Sequence, residues 1–328
     1  MIKIVLPETK RPGTIDELNT LVNSHKNEDM NVLIGDISLK DDRMFIQGKP
    51  YAVRQNGMKG LLNQIKMPGS YAASIPNDLF YDSVNRLCKT YGDFEVLVRT
   101  QDDEVRAILS PSYIPLDSID LVKRLETAKE AGLIPARMQY DGDNVTIQLT
   151  SHGEVKASKV GDISKIGVSL ETSDTNLYGL SANAYLYRLV CTNGTILPTS
   201  LGGGVSFLQK NINQETVWNM FDDSYARILD KMSKIDSEFL IRLEGKKVDA
   251  SNFIKVKNKL SEVAGGRKVS EVLRKMEEDI LERGSQVSVY DIYNTVTETA
   301  RDSVNMFTAQ LLEKSAGELL LEFGTVKN

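Results

Sequence analysis

The chain has 328 residues, 41% of them hydrophobic and 26% charged, with a formal net charge of −5. This composition is typical of globular proteins and excludes an intrinsically disordered chain, while no apolar run approaches the roughly 20 residues of a membrane-spanning helix. The opening segment 1–7 has neither a long apolar stretch nor a small-residue cleavage site. We therefore predict no signal peptide, no membrane partner and a cytoplasmic location.

Cysteine and histidine are too few to build the common catalytic or metal centres. Cys88 and Cys191 lie in apolar contexts that are typical of reduced, buried thiols. His25 and His152 have no Cys or second His at ligand spacing, and we interpret both as solvent-exposed. The sequence therefore predicts no catalytic residue, no metal and no cofactor.

The first part of the chain alternates between helical and extended patterns. Residues 14–25 open with Thr14 as an N-cap and place Ile15, Leu18 and Val22 at helical spacing. Further helices are predicted at 56–66, at about 78–90, and from Asp117 to near Gly132. Short apolar or alternating segments predict strands at 31–34, 44–47, 94–100, 105–109, 136–140, 144–149, 163–170 and about 184–190.

Two acidic turns indicate hairpins. Asp102-Asp103-Glu104 and Asp141-Gly142-Asp143 each separate two predicted strands, and the second is a strong hairpin signal. With the helices, these hairpins predict an α+β fold, with a mainly antiparallel sheet and packed helices followed by an α-helical C-terminal region. The acids could hold a divalent cation through oxygen ligands, but solvated acids at hairpin tips are the simpler interpretation.

Three consecutive glycines divide the chain. Gly202-Gly203-Gly204 precedes Val205-Ser206-Phe207, which lacks the Lys-Ser or Lys-Thr of a P-loop, and the spaced glycines of a dinucleotide site are missing too. A hinge is therefore favoured over a phosphate cradle. Helices are predicted beyond it at about 214–234, 250–264, 268–284, 289–303 and 305–317. We predict an α+β core domain over 1–204 and a helical domain over 205–328.

Basic residues concentrate in the C-terminal part. Residues 242–275 hold ten bases against four acids and include the pair Gly265-Gly266. Such a segment can follow a phosphate backbone. The alternative is a solvated helix face with intrahelical ion pairs, such as Glu271 with Arg274 and Lys275. The candidate nucleic-acid-binding residues are Lys246, Lys247, Lys255, Lys257, Lys259, Arg267, Lys268, Arg274 and Lys275.

Aromatic residues offer two interpretations. Tyr185 and Tyr187, on one face of a predicted strand and close to Tyr178, could stack on unpaired bases, or could belong to a sheet face covered by helices. One helix carries aromatic residues at core spacing: Trp218, Phe221 and Tyr225.

Two segments resemble a known family. Val105-Arg106-Ala107-Ile108-Leu109-Ser110-Pro111-Ser112-Tyr113-Ile114-Pro115-Leu116-Asp117 resembles the R-A-x-L-S-x-x-Y-x-x-L-D block of the domain of unknown function 932 family, which bacteriophages and plasmids carry. Tyr187-Arg188-Leu189-Val190-Cys191-Thr192-Asn193-Gly194 is similar to its R-x-x-C-x-N-G block. The likeness spans about residues 30–305, with a weaker echo at 290–298. The matched motif residues are Arg106, Ser110, Tyr113, Arg188, Cys191, Asn193 and Gly194.

The resemblance implies a mobile-element protein acting in a bacterial host, without an established reaction. The chain departs from the family where Asn-Ser-Glu often precedes the Cys block, because Ser169-Leu170-Glu171-Thr172-Ser173 stands there. We interpret Asn193-Gly194 as a turn after a buried strand, and we expect Arg106 to pair with Asp117.

Three functions compete. The leading hypothesis is a phage or plasmid accessory protein that binds nucleic acid in DNA recombination or single-strand annealing, as a homo-oligomer. The alternative is a protein–protein interaction factor, such as an inhibitor of a host defence system, that docks through the C-terminal helices. A third is a metal-dependent hydrolase or nuclease that uses the acidic turns.

Overall fold

The structure of the chain is a computed structural model. The structure describes residues 3–25, 27–130, 132–156, 163–188, 193–196, 204–207, 213–232, 244–247, 250–264, 269–283, 287–303, 306–319 and 322–323. Among them, none of the helices combines the length and the apolar composition that a bilayer-spanning helix requires.

The first sheet is built from the N-terminal third of the chain. In the described residues its strands run β2-β6-β7-β5-β4-β3, with β1 also pairing β5. The pairs β1–β5 and β5–β7 are parallel and the others are antiparallel. The strands are β1 (Ile4–Val5), β2 (Asn27–Leu33), β3 (Ile37–Lys40), β4 (Arg43–Ile46), β5 (Lys49–Arg54), β6 (Glu95–Gln101) and β7 (Glu104–Leu109).

The second sheet is antiparallel throughout its described strands. Its order is β12-β11-β10-β9-β8, and β13 also pairs β11. The α+β prediction and both predicted hairpins are confirmed. The strands are β8 (Ile134–Tyr140), β9 (Asn144–Lys156), β10 (Ile163–Ser173), β11 (Leu180–Arg188), β12 (Asn193–Ile196) and β13 (Gly204–Phe207).

Helices precede, connect and follow the two sheets. Thr14 caps the first helix as predicted, because its Oγ1 accepts a hydrogen bond from the Glu17 N–H at 3.1 Å. The helices up to residue 130 are α1 (Ile15–Asn23), α2 (Gln55–Gln64), α3 (Gly69–Ser74), α4 (Asn77–Thr90), α5 (Ser118–Lys123) and α6 (Leu125–Glu130). Those after it are α7 (Gln214–Met232), α8 (Ala250–Ala264), α9 (Ser270–Arg283), α10 (Val289–Asp302) and α11 (Met306–Leu319).

Two hydrophobic cores hold these elements. The first lies within residues 32–108 and includes Cys88, a buried free thiol as predicted. The second joins α1 and the second sheet to the C-terminal helices, through residues such as Leu18, Leu170, Phe221 and Tyr293. The helices beyond Gly204 therefore pack on the second sheet, while a division of the chain at residue 204 and a hinge there stay predictions.

The second sheet has one apolar and one polar face. Leu149 of β9, Val168 of β10 and Ala184 of β11 are paired in register and lie on one face. The adjacent residues in register, Gln148, Ser169 and Asn183, lie on the other face. A polar face usually meets water. Here α11 covers the polar face. Glu313 of this helix accepts a hydrogen bond from Gln148 at 2.9 Å, and Gln310 donates one to Thr146 at 2.6 Å. The C-terminal helix is thus fixed on the sheet by hydrogen bonds as well as by apolar packing.

Glycine allows α2 to lie unusually close to β7. A Cβ atom on Gly60 would overlap the carbonyl oxygen of Ile108, whereas a Cβ on the exposed Gly69 would meet nothing within 4 Å. We expect Gly60→Ala to lower the free energy of unfolding by about 1–3 kcal/mol, because helix and strand must separate. Gly69→Ala is the matched control. Urea denaturation checks the prediction, and equal stabilities for the two variants would contradict it.

Candidate functional site

Four of the predicted phosphate-binding lysines are exposed near the start of α8. Lys246 and Lys247 precede the helix, beside the N-terminus of α10, where Lys247 forms a β-bridge with Ser288. Lys255 and Lys257 lie on either side of the fully buried Val256. The structure thus places four of the nine candidate bases on the outer surface of the segment 244–264.

Three other candidate bases are paired with acids. Lys259 contacts Glu262 at 3.3 Å, Arg274 contacts Glu278 at 2.6 Å, and Lys275 contacts Glu271 at 3.2 Å. The predicted ion pair of Lys275 with Glu271 within the helix is therefore confirmed. The predicted pairing of Arg274 with Glu271 is wrong, because Arg274 pairs with Glu278. Arg267 and Lys268 lie outside the described residues.

The tyrosines of the second sheet are largely enclosed. Tyr185 and Tyr187 stack with ring centroids 6.4 Å apart, but Tyr185 is fully buried and donates a hydrogen bond to Gln148. Tyr178 stacks on Phe307 of α11. The covered-face interpretation is confirmed for Tyr185, which no base can reach. The core prediction is also confirmed for Trp218, Phe221 and Tyr225.

Three arginines of the first sheet are buried where it meets the second. Together with the carboxylates that they contact, they are called the arginine cluster: Arg54, Arg99, Arg106, Asp29, Glu104, Asp117, Asp143 and Asp174. Arg106 is 1% exposed, and its guanidinium lies 3.0 Å from Asp143 and 2.7 Å from Asp174. The expected pairing of Arg106 with Asp117 is therefore wrong.

Arg99 and Arg54 complete the cluster. Both Nη atoms of Arg99 donate to Asp117, at 2.8 and 2.7 Å, and its Nε donates to Asp29 at 2.9 Å. Arg54 donates to Glu104 at 2.7 Å and to Asp143 at 2.6 Å. Because Asp143 follows β8 and Asp174 follows β10, these bonds join the two sheets.

Burial and charge oppose each other at Arg106. Burial by itself lowers the pKa of the guanidinium, but the carboxylates of Asp174 and Asp143 outweigh it and raise the pKa. Paired in this way, the arginines stay charged and their donors are occupied by the protein itself. The cluster therefore acts as an internal connector and offers no free cation to a ligand.

The acidic turn at 141–143 differs from the solvated tip that was predicted. Asp143 is 2% exposed and binds two arginines, while Asp141 accepts from the backbone N–H groups of Asp143 and Asn144 at 2.9 and 2.7 Å. Burial raises the pKa of Asp141 above its usual value. Within the described residues, no group of three or more His, Cys, Asp or Glu side chains is placed to hold a metal.

The structure describes all three matched residues of the first block that resembles the family. Ser110 bonds Ser112 at 2.9 Å, and Tyr113 donates to the carbonyl of Ser173 at 3.3 Å, with Arg99 5.7 Å from its ring centroid. Arg106 lies in the cluster described above.

The second block of the motif is described only in part. Asn193 and Gly194 open β12, opposite Arg188 and Tyr187 of β11. The prediction of a turn at Asn193-Gly194 is therefore wrong, because both residues are in the strand. The side chain of Arg188 and the whole of Cys191 lie outside the described residues.

Comparisons with known proteins add no assignment: no family model matches the chain, and no curated protein or solved structure matches it. The resemblance to the domain of unknown function 932 family stays a prediction.

Sequence reasoning missed Arg54, Arg99 and Asp174. Each pairs with residues far along the chain, such as Arg54 with Asp143, 89 positions away. One signal was present, since Arg99 and Arg106 interrupt apolar strands, and a charge within such a strand needs a buried partner.

Proposed function

We propose that the chain is a phage- or plasmid-borne accessory protein that binds nucleic acid, in recombination or single-strand annealing, through the exposed lysines of residues 244–264. The proposal rests on the charges that are exposed on the outer surface of α8. Lys255 and Lys257 are exposed there and form no ion pair with a described residue, unlike Lys259 one turn along. A lysine without a protein partner can neutralise a phosphate and release its counterion.

The geometry of α8 supports contact with a flexible strand. The two lysines flank the buried Val256, so their ammonium groups leave opposite edges of the helix, with Ile254 and Asn258 exposed between them. Ile254 is 57% exposed and offers an apolar contact at the centre of this surface. Phosphates bound at both edges would let bases lie over Ile254 and Asn258. These lysines would contact the phosphate backbone of the nucleic acid, so we expect binding that does not depend on the base sequence.

Charge reversal tests the proposal. We expect Lys255→Glu/Lys257→Glu to weaken binding of a single-stranded 30-nucleotide oligomer by about tenfold or more, since two phosphate contacts become repulsive. Fluorescence anisotropy at fixed salt gives the affinity. Lys3→Glu/Lys89→Glu, at exposed lysines elsewhere, makes the same change in net charge. Equal losses in the two variants would show that only net charge matters, and undiminished binding after reversal at α8 would overturn the proposal.

A further inference from the structure

A cavity beside α2 lies where the two hydrophobic cores meet. It has a volume of about 430 Å³ and is here called the α2 cavity. One wall is formed by α2 and the end of β7, which pack in the first core. The opposite wall is formed by residues 175–177, which follow β10 of the second sheet. Small-molecule sites often lie at such junctions, and their volumes are about 300–1,000 Å³.

Hydrogen bonds and close packing hold the two walls in place. Asn56 of α2 donates from Nδ2 to Oγ1 of Thr175 at 3.0 Å. Arg106 of β7 contacts Asp174, the residue before Thr175, at 2.7 Å. The close approach of Gly60 to β7 fixes α2 against the strand. The cavity is therefore preformed, so a ligand can bind without ordering its walls first.

Uncharged polar side chains form the polar part of the wall. They are the carboxamides of Asn56, Asn63, Gln64 and Asn176 and the hydroxyls of Ser110, Ser112 and Thr175. Carboxamides and hydroxyls both donate and accept hydrogen bonds. The hydroxyl groups of a sugar have the same dual capacity, so each of them can pair with any of these side chains.

The rest of the wall disfavours charged ligands and nucleobases. Among the described residues it contains no Asp, Glu, His or Cys, the side chains that a cationic ligand or a metal would need. Lys59 lines the cavity but is exposed, so solvent and salt screen its attraction for an anion. The ring of Tyr113 is 7% exposed and lies against Arg99, so it offers no stacking platform to a base. The wall therefore favours a neutral polar ligand.

Aliphatic side chains complete the match to a sugar. Leu109 and Leu177 line the cavity beside the polar groups. A sugar ring presents apolar C–H groups on its faces and hydroxyls around its edge. It can therefore contact the leucines and the carboxamides at the same time.

We infer that the α2 cavity binds a neutral sugar of one or two rings. The side-chain amides of Asn63 and Gln64, in the last turn of α2, form no hydrogen bond with a described residue and are available to the sugar hydroxyls. The C–H face of the ring lies on Leu177. This site does not include the lysines of α8, so it is a function beyond nucleic-acid binding.

Saturation-transfer difference NMR on the full chain tests the inference. The probes are D-glucose, D-galactose, N-acetyl-D-glucosamine and maltose, each added separately, with adenosine and acetate as a nucleoside and an anion for comparison. We expect saturable binding of at least one of the four sugars with a Kd of about 1 mM or below. Adenosine and acetate should bind at least about tenfold more weakly, since neither matches both the carboxamides and the aliphatic wall.

A carboxamide variant tests whether the sugar lies in this cavity. Asn63→Ala should weaken binding of the best sugar about fivefold or more, because the amide can no longer pair with its hydroxyls. Asn219→Ala, at an exposed asparagine of α7, is the matched control and should leave binding unchanged. Asn63 is exposed as well, and circular dichroism verifies that both variants fold.

Three outcomes would overturn the inference. They are the absence of saturable binding of all four sugars, adenosine or acetate binding as tightly as the best sugar, and equal effects of Asn63→Ala and Asn219→Ala. Lys255→Glu/Lys257→Glu should bind the sugar as tightly as the wild type does. Failure of the α8 proposal and failure of this one are therefore distinguishable.

Discussion

Arg106→Met is expected to lower the free energy of unfolding by about 3–5 kcal/mol, the usual cost of removing one partner from a buried ion pair. Methionine replaces the aliphatic part of the arginine side chain and lacks the guanidinium, so the loss reports mainly the missing charge and its hydrogen bonds. Without the guanidinium, Asp174 loses a contact of 2.7 Å and Asp143 one of 3.0 Å. The Gly142 carbonyl also loses a donor at 2.7 Å.

Chemical denaturation followed by circular dichroism measures this loss. Arg86→Met is the matched control, because Arg86 pairs with Asp82 at 2.9 Å with both side chains more than half exposed. Such surface pairs contribute about 0–1 kcal/mol. If the two variants had the same stability, the arginine cluster would not be what joins the sheets.

The double variant Asp174→Asn/Arg106→Met tests whether Arg106 and Asp174 stabilise the fold through their contact with each other. If the two residues act through one contact, the double variant should lose less stability than the sum of the two single losses. Additive losses would contradict direct coupling between β7 and the turn after β10.

Protonation of Glu313 is expected to make the stability depend strongly on pH. This residue of α11 is 2% exposed and faces the polar face of the second sheet. Burial raises the pKa of this carboxyl from 4.5 to about 7, Arg137 at 2.9 Å opposes the rise, and Glu171 adds to it. Lys314 lies 3.7 Å from Glu171 and is a further charged group at this contact among the described residues. Glu313 therefore holds its proton more tightly in the folded protein than in the unfolded chain.

The sign of the pH dependence follows from that difference. Between about pH 4.5 and 7 the folded state binds more protons, so the contribution of Glu313 is fully present below pH 4.5 and is lost as pH rises through 7. At 1.36 kcal/mol per pKa unit, the loss is roughly 3 kcal/mol.

Glu313→Gln should remove this dependence, since glutamine keeps the shape of the protonated acid without a titrating proton. We expect the melting temperature of the variant minus that of the wild type to increase steadily from pH 5 to pH 8. Glu278→Gln, at an exposed glutamate of α9, is the control. A constant difference between wild type and Glu313→Gln across this range would contradict the account of α11 as a helix docked by a buried carboxyl.

Local patterns in the sequence were enough to predict most elements of the fold. The cap at Thr14 fixes the start of α1, and the turn at Asp141-Gly142-Asp143 fixes the pairing of Tyr140 with Val145 across β8 and β9. These features depend on neighbours within a few positions. Intrahelical pairs such as Lys275 with Glu271 were predictable for the same reason.

Features that depend on distant residues were not predictable. The parallel pairing of β5 with β7 brings Val53 opposite Val105, and nothing in either segment specifies the other. Arg106 was assigned Asp117, 11 positions away, whereas its partners Asp143 and Asp174 are 37 and 68 positions away.

The salt dependence of oligonucleotide binding tests the nucleic-acid proposal most directly. The logarithm of the association constant of a single-stranded oligomer should fall linearly with the logarithm of salt concentration between about 50 and 200 mM. Since each phosphate contact contributes about 0.7 to that slope for single strands, Lys255→Glu/Lys257→Glu should make it shallower by roughly 1.4. Binding that does not change with salt, or equal slopes for the wild type and the variant, would contradict it.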